Sequence, residues 1–123
     1  MAKTILMVDD SKTMRDMVNT TLQQSGFAVL DAEDGKQALD VLAGNNIDLI
    51  ITDINMPNMD GISLIKQIRS QDKHKFTPII VLTTEGGDDA KKKGKEAGAT
   101  GWVVKPFNPE KMLQIVNKLC ANG

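Results

Sequence analysis

Short, nearly unbroken apolar runs alternate along this chain with longer stretches whose apolar residues recur every three or four positions. The short runs cover 4–9 (TILMVD), 27–31 (FAVLD), 47–53 (IDLIITD), 78–83 (PIIVLT) and 100–105 (TGWVVK), and each predicts a β-strand. Three of them are almost continuous in Ile, Val and Leu. A strand with one wet face would alternate, so these runs predict parallel strands covered on both sides.

The intervening stretches carry helix start and stop signals. The first predicted helix takes Ser11 as N-cap and runs to Gly26, with Met14, Met17, Val18 and Leu22 on its apolar face. The second starts at Asp34 and buries Ala38, Leu39 and Leu42 before Gly44. The third starts near Asp60 and carries Ile62, Ile65 and Ile68. The last has Asn108 as N-cap and Pro109 as first residue, where a missing N–H costs nothing; its stripe is Met112, Leu113, Val116 and Leu119. The fourth, 88–97, is expected to be marginal and mobile, since it offers only Ala90 and Ala97 for burial, contains Gly94 and follows Gly86 and Gly87. A glycine inside a helix costs about 1 kcal/mol relative to alanine. Strands alternating with helices imply an α/β domain with one parallel sheet and right-handed crossovers. Ligands of such sheets bind beyond the carboxyl ends of the strands.

That rule directs attention to what the strands end in. The first ends in Asp9 and Asp10, the third in Asp53, the fourth in Thr83 and Thr84, the fifth in Lys105. Parallel strands would bring these groups to one edge. Two carboxylates about 4 Å apart repel by about 4 kcal/mol at an effective dielectric near 20, so three need a cation beyond the single lysine. A divalent ion with hard oxygen ligands answers, and Mg²⁺ suits a site completed by water and phosphate. A carboxylate facing a metal and a lysine can attack phosphorus, with Thr83 and Lys105 stabilising the transferred group. Asp53 stands alone on the central strand and is the expected nucleophile; Asp9 and Asp10, as a pair, suit metal binding. Asp31, Asp34, Asp60, Asp72, Asp88 and Asp89 read as caps and turn residues.

Bulk composition narrows the classes. With 123 residues the chain is expected to be one domain over 1–123, without room for an output domain. Its 15 basic and 16 acidic side chains nearly cancel, which argues against nucleic acid or an anionic membrane as partner. No apolar run approaches the roughly 20 residues of a membrane span, and Cys120, the only cysteine, permits no internal disulfide. The expectation is a cytoplasmic monomer. Cys120 reads as a packing or surface residue, His74 as an exposed loop residue, and Met14 and Met17 as core.

The segments VDDS at 8–11, TDINMPNMDG at 52–61, VLTTE at 81–85 and GWVVKPF at 101–107 resemble the receiver domain of two-component response regulators, and within that family its chemotaxis members. The resemblance implies a flavodoxin-like doubly wound sheet of order 2-1-3-4-5 with five helices, an order that belongs to the family and does not follow from the spacing. It implies Asp53 as phosphoacceptor; Asp9, Asp10, Asp53 and the backbone carbonyl of Asn55 as Mg²⁺ ligands; Thr83 as switch hydroxyl; and Lys105 as phosphate-binding lysine, aimed by a cis bond before Pro106. Its implied partners are a phosphohistidine kinase (CheA-like) docking beside the first helix, the flagellar motor switch and a phosphatase. The chain would not be an enzyme beyond its own phosphorylation and dephosphorylation. Output would leave through the fourth helix, fifth strand and fifth helix, where Lys91, Lys92, Lys93 and Lys95 suit an acidic segment or form a solvated face.

Two positions depart from the family pattern. Trp102 stands where Tyr or Phe usually serves as switch aromatic, and either moves with Thr83 or merely packs under the fourth helix. Thr84 stands where a small residue is usual and is expected to narrow access to Asp53. Asn55 and Glu85 are expected to flank the site and, with Thr84, tune its rates. Alternatives are a phosphate sink or relay receiver that does not act on the motor, a haloacid-dehalogenase-type phosphohydrolase, which needs an acid where Asn55 stands, and a flavodoxin-like electron carrier, which needs flavin-stacking aromatics.

Overall fold

A computed structural model describes residues 3–121; the ends of the expected 1–123 domain, residues 1, 2, 122 and 123, lie outside the described residues. Five strands, β1 (Thr4–Val8), β2 (Ala28–Ala32), β3 (Leu49–Thr52), β4 (Ile79–Thr83) and β5 (Gly101–Val104), alternate with α1 (Lys12–Gln24), α2 (Gly35–Gly44), α3 (Gly61–Arg69), α4 (Asp88–Ala97) and α5 (Pro109–Ala121). All strand pairs are parallel, in the order β2-β1-β3-β4-β5. The parallel sheet is the one the pattern predicts, and its doubly wound order is the one the resemblance implies.

The unbroken apolar runs are explained by two-sided burial. Leu6, Val8, Ile50, Ile79 and Val81 face one cluster with α2, α3 and Ala97 of α4. Ile5, Met7, Leu49, Ile51, Ile80 and Leu82 face the other, with Val18 and Leu22 of α1 and Met112, Val116 and Cys120 of α5. Strands β3 and β4 are buried at every position, whereas β2 at the edge exposes three of five.

The caps form where the sequence places them. Ser11, Asp34 and Asp60 accept from the backbone N–H groups of Met14, Gln37 and Ser63, and Asn108 accepts from Glu110 and Lys111. Helix α4 forms over 88–97 without a side-chain cap; Ala97 is buried, and Gly94 is needed because a Cβ there would lie 2.5 Å from Trp102 Cζ3.

Three expectations are corrected. Met17 is 50% exposed, because the buried stripe of α1 runs through Val18 and Leu22. Asp31 is not a turn residue: it sits in β2 and pairs with Arg15 at 3.2 Å. His74 is buried at 3% exposure, and Phe76 is the exposed residue of that loop at 88%. The His74 Nε2 accepts the Ile47 N–H at 3.3 Å, which places the proton of the neutral ring on Nδ1.

Candidate functional site

The carboxyl edge of the sheet is built by chain ends that have nowhere else to go. Strand β1 stops at Val8, and Asp9 then lies fully buried at the mouth of the β1–α1 turn. Its amide donates to the Ala32 carbonyl, while its Oδ1 accepts the Ser11 amide at 2.9 Å. Asp53 follows β3, its amide donating to the Val8 carbonyl and its Oδ1 accepting the Ile54 amide at 2.6 Å. Gly61 opens α3 against this stretch, since a Cβ there would overlap the Asp53 carbonyl oxygen. The next loop is tied down by Asn58, which adopts a left-handed φ of 67° and donates to Asp34 at 2.8 Å.

Lys105 reaches in from the end of β5, where its amide N–H donates to the Thr83 carbonyl, and a cis peptide joins it to Pro106. Its ammonium lies 2.8 Å from Asp9 Oδ2 and 3.0 Å from Asp53 Oδ2. Asp10 is exposed, yet Asp9, Asp10 and Asp53 each offer an oxygen within 4.8 Å of the others. The structure therefore brings together the three acids and the lysine.

Burial pushes the Asp9 carboxyl above its usual range, and the hydrogen bonds from Lys105 and Ser11 offset this only in part. Burial works against the Lys105 ammonium too, but its bonds to Asp9 and Asp53 hold the proton and raise its pKa overall. One lysine thus leaves negative charge uncompensated. The donors are all hard oxygens, and Asp10 opens to solvent where water ligands could remain. His74 bonds at the start of β3, the opposite end from Asp53, and Cys120 packs in the apolar cluster with α1 and α5, so neither side chain competes at the site. The residues present fit Mg²⁺.

The remaining expected residues sit at the ends of β3 and β4 and within β5. Thr83 is fully buried at the end of β4, and its Oγ1 accepts the Glu85 amide at 3.3 Å. Thr84 and Glu85 are exposed. Asn55 turns its side chain to Glu85, Nδ2 donating to Oε1 at 3.0 Å. A cleft of about 510 Å³ opens beside them between the starts of α3 and α4, lined by Asn55, Asp60, Ser63, Glu85 and Asp89. Trp102 lies apart from the carboxylates: its ring packs on Gly94 and its Nε1 donates to the Glu85 carbonyl at 2.9 Å. Sequence reasoning missed Arg15, whose Nη1 donates to the Asp9 carbonyl at 2.7 Å. The available signal was its place one turn beyond the Ser11 cap, since helical side chains lean toward the N-terminus.

Residues 5–117 match the response regulator receiver domain family. Over 121 residues the chain is 40% identical to a chemotaxis protein CheY homolog of Campylobacter jejuni, covering 97% of this chain and 93% of the relative. The fold matches the chemotaxis protein CheY4 of Vibrio cholerae with a TM-score of 0.93 at 46% identity, over 97% of this chain and 99% of that one. It matches the receiver domain of a Pseudomonas aeruginosa sensor histidine kinase with a TM-score of 0.91 at 26% identity, over 98% and 99% of the two chains; that protein's crystal structure has a magnesium ion coordinated in its active-site cleft.

Proposed function

The chain belongs to the response regulator receiver family, and on that premise we propose that it is a chemotaxis-type switch phosphorylated on Asp53. The observation that carries this reading is Lys105 held between Asp9 and Asp53, with the Asp10 carboxylate alongside. A carboxylate oxygen of Asp53 attacks the phosphorus of a histidine kinase's phosphohistidine. An O–P bond forms, the P–N bond breaks, and its electron pair stays on the departing imidazole. Asp9, Asp10, Asp53 and the Asn55 carbonyl would hold Mg²⁺, which when bound neutralises charge on the transferring oxygens. Lys105, already touching Asp53, exchanges a carboxylate contact for a phosphoryl oxygen. Water then attacks the acyl phosphate, releasing inorganic phosphate and restoring Asp53; Asn55 and Glu85 border its path and set that rate.

The switch follows from two bonds to one residue. Thr83 Oγ1 accepts the Glu85 amide, and the Glu85 carbonyl accepts Trp102 Nε1. Drawing the Thr83 hydroxyl to the phosphoryl group lengthens the first contact, frees the loop 84–87 and shifts Trp102 with α4. A differential of a few kcal/mol suffices to make a minor conformer dominant. The altered face of α4, β5 and α5 carries the exposed Lys91, Lys92, Lys93 and Lys95, which suits an acidic segment of the flagellar motor switch.

Acetyl phosphate with Mg²⁺ should add one phosphoryl group, mapped to Asp53 by mass spectrometry and absent from Asp53→Asn. No adduct at Asp53 would remove the basis of the reading. A lysate pull-down with and without beryllofluoride separates output roles: retention of a motor component only by the activated form supports motor binding, and its absence favours a phosphate sink or relay.

A further inference from the structure

Arg15 lies one turn into α1, and its side chain is only 13% exposed. Nη1 donates to the Asp9 carbonyl at 2.7 Å, and Nε donates to Asp31 Oδ2 at 3.2 Å. Asn19 Nδ2 approaches the same Asp31 oxygen at 3.4 Å. One planar cation therefore joins three pieces of chain: the acidic turn after β1, helix α1 and the edge strand β2. The rigid fork of a guanidinium suits such a junction, and a flexible ammonium does not.

The carbonyl that Arg15 grips belongs to the peptide linking Asp9 to Asp10. Rotating that peptide would swing the Asp10 carboxylate away from Asp9 and Asp53. Of the other restraints on Asp9, the Ala32 bond to its amide and the Lys105 bond to its carboxylate act elsewhere, and only the Ser11 amide, donating to Oδ1, closes a turn around the same peptide. Repulsion would favour that rotation, because Asp10 is the exposed member of the carboxylate trio. Arg15 opposes this from the backbone side, and Asp31 in turn holds the guanidinium in place.

We propose that Arg15 is a positioning residue that locks the Asp9–Asp10 peptide so that the Asp10 carboxylate stays converged with Asp9 and Asp53 for a shared Mg²⁺. This rests on the phosphorylation-switch reading above.

Two measurements test it in the full chain. By calorimetric titration, Arg15→Met should raise the Mg²⁺ dissociation constant about tenfold, the effect of losing a group that orients a ligand, and Arg15→Lys should recover part of it. In EDTA, the Ser11 amide, which donates to Asp9 Oδ1 at 2.9 Å, should exchange about tenfold faster in Arg15→Met. The Ile80 amide in the central sheet reports global opening and serves as the reference; a merely structural role would change both amides alike and leave Mg²⁺ affinity untouched. An Arg15→Met protein with parental Mg²⁺ affinity and parental Ser11 exchange overturns the proposal, whatever its melting temperature. If that variant does not fold, Asp31→Asn, which loosens the anchor and keeps the guanidinium, is decided by the same two values. Should the unmodified chain bind no Mg²⁺, the functional reading falls, and the exchange arm in EDTA still decides the tether.

Discussion

Asp10 is the exposed member of a trio whose other two carboxylates are buried, and that asymmetry makes it the residue at which binding and stability pull apart. The three carboxylates offer oxygens within 4.8 Å of one another; unit charges at that upper limit repel by about 3.5 kcal/mol at an effective dielectric of 20, which exposure to solvent reduces to about 1 kcal/mol. Asp10→Asn is therefore expected to raise unfolding free energy in EDTA by about 1 kcal/mol and to lose most of the stabilisation that Mg²⁺ gives the parent. Urea titrations with and without Mg²⁺ check both halves; a destabilised variant in EDTA would mean that Asp10 is held by attraction. Thr84 is exposed, and on the proposed reading it stands where donors approach Asp53. Removing its branched side chain in Thr84→Ala should speed phosphorylation by acetyl phosphate about threefold, a barrier change of about 0.6 kcal/mol. An unchanged rate in a stopped-flow assay would dispose of that steric role.

Among the elements, α4 packs on β5 where Gly94 leaves the notch that the Trp102 ring fills. The glycine that weakens α4 as an isolated helix is thus the residue that lets it pack, which explains how a segment of such poor propensity forms. Gly94→Ala gains about 1 kcal/mol of helix propensity and meets the ring at 2.5 Å; overpacking of this kind costs about 1–3 kcal/mol. A net loss of about 1 kcal/mol is expected. Trp102 must also leave the Glu85 carbonyl, so the emission of this sole tryptophan should shift and its response to beryllofluoride should shrink. Parental emission and response would show that the notch does not hold the ring. The expected fourth helix forms over 88–97 without a side-chain cap, and its mobility belongs with the switching mechanism proposed above.

At the scale of the whole molecule, the two ends of the sheet have opposite characters. The carboxyl edge concentrates charge; the amino edge buries a neutral imidazole. Burial pushes the His74 pKa below its ordinary 6.5, with Lys73 adding to the effect, and a second proton on Nε2 would break its bond to Ile47. The unfolded chain binds that proton more readily than the native one. Its contribution to stability is therefore complete above pH 6.5 and is lost as pH falls toward the depressed native pKa, with a slope of at most about 1.4 kcal/mol per pH unit. His74→Gln should flatten this part of the acid limb in urea titrations, while the limb set by Asp34, whose Gln37 and Asn58 bonds hold its pKa low, stays at lower pH. An acid limb identical in both proteins would assign the slope elsewhere.

Strand runs, helix caps and the acidic, hydroxyl and lysine endings of the strands were readable from the chain because each depends on neighbours within a few positions. Period, capping chemistry and motif spacing are local quantities. Partnerships between distant residues were not. Lys105 meets Asp9 across 96 positions, a pairing that strand endings suggested and only the folded sheet brings to 2.8 Å. Arg15 reaches Asp31 across 16 positions and His74 meets Ile47 across 27; nothing near Arg15 or His74 foretells these two partners. Met17 differs from Val18 by one step of helix rotation, and its exposure depends on how α1 sits against the sheet. Local chemistry selects the elements and their functional tips, whereas burial, pairing and charge balance arise only when the packed sheet brings remote segments together.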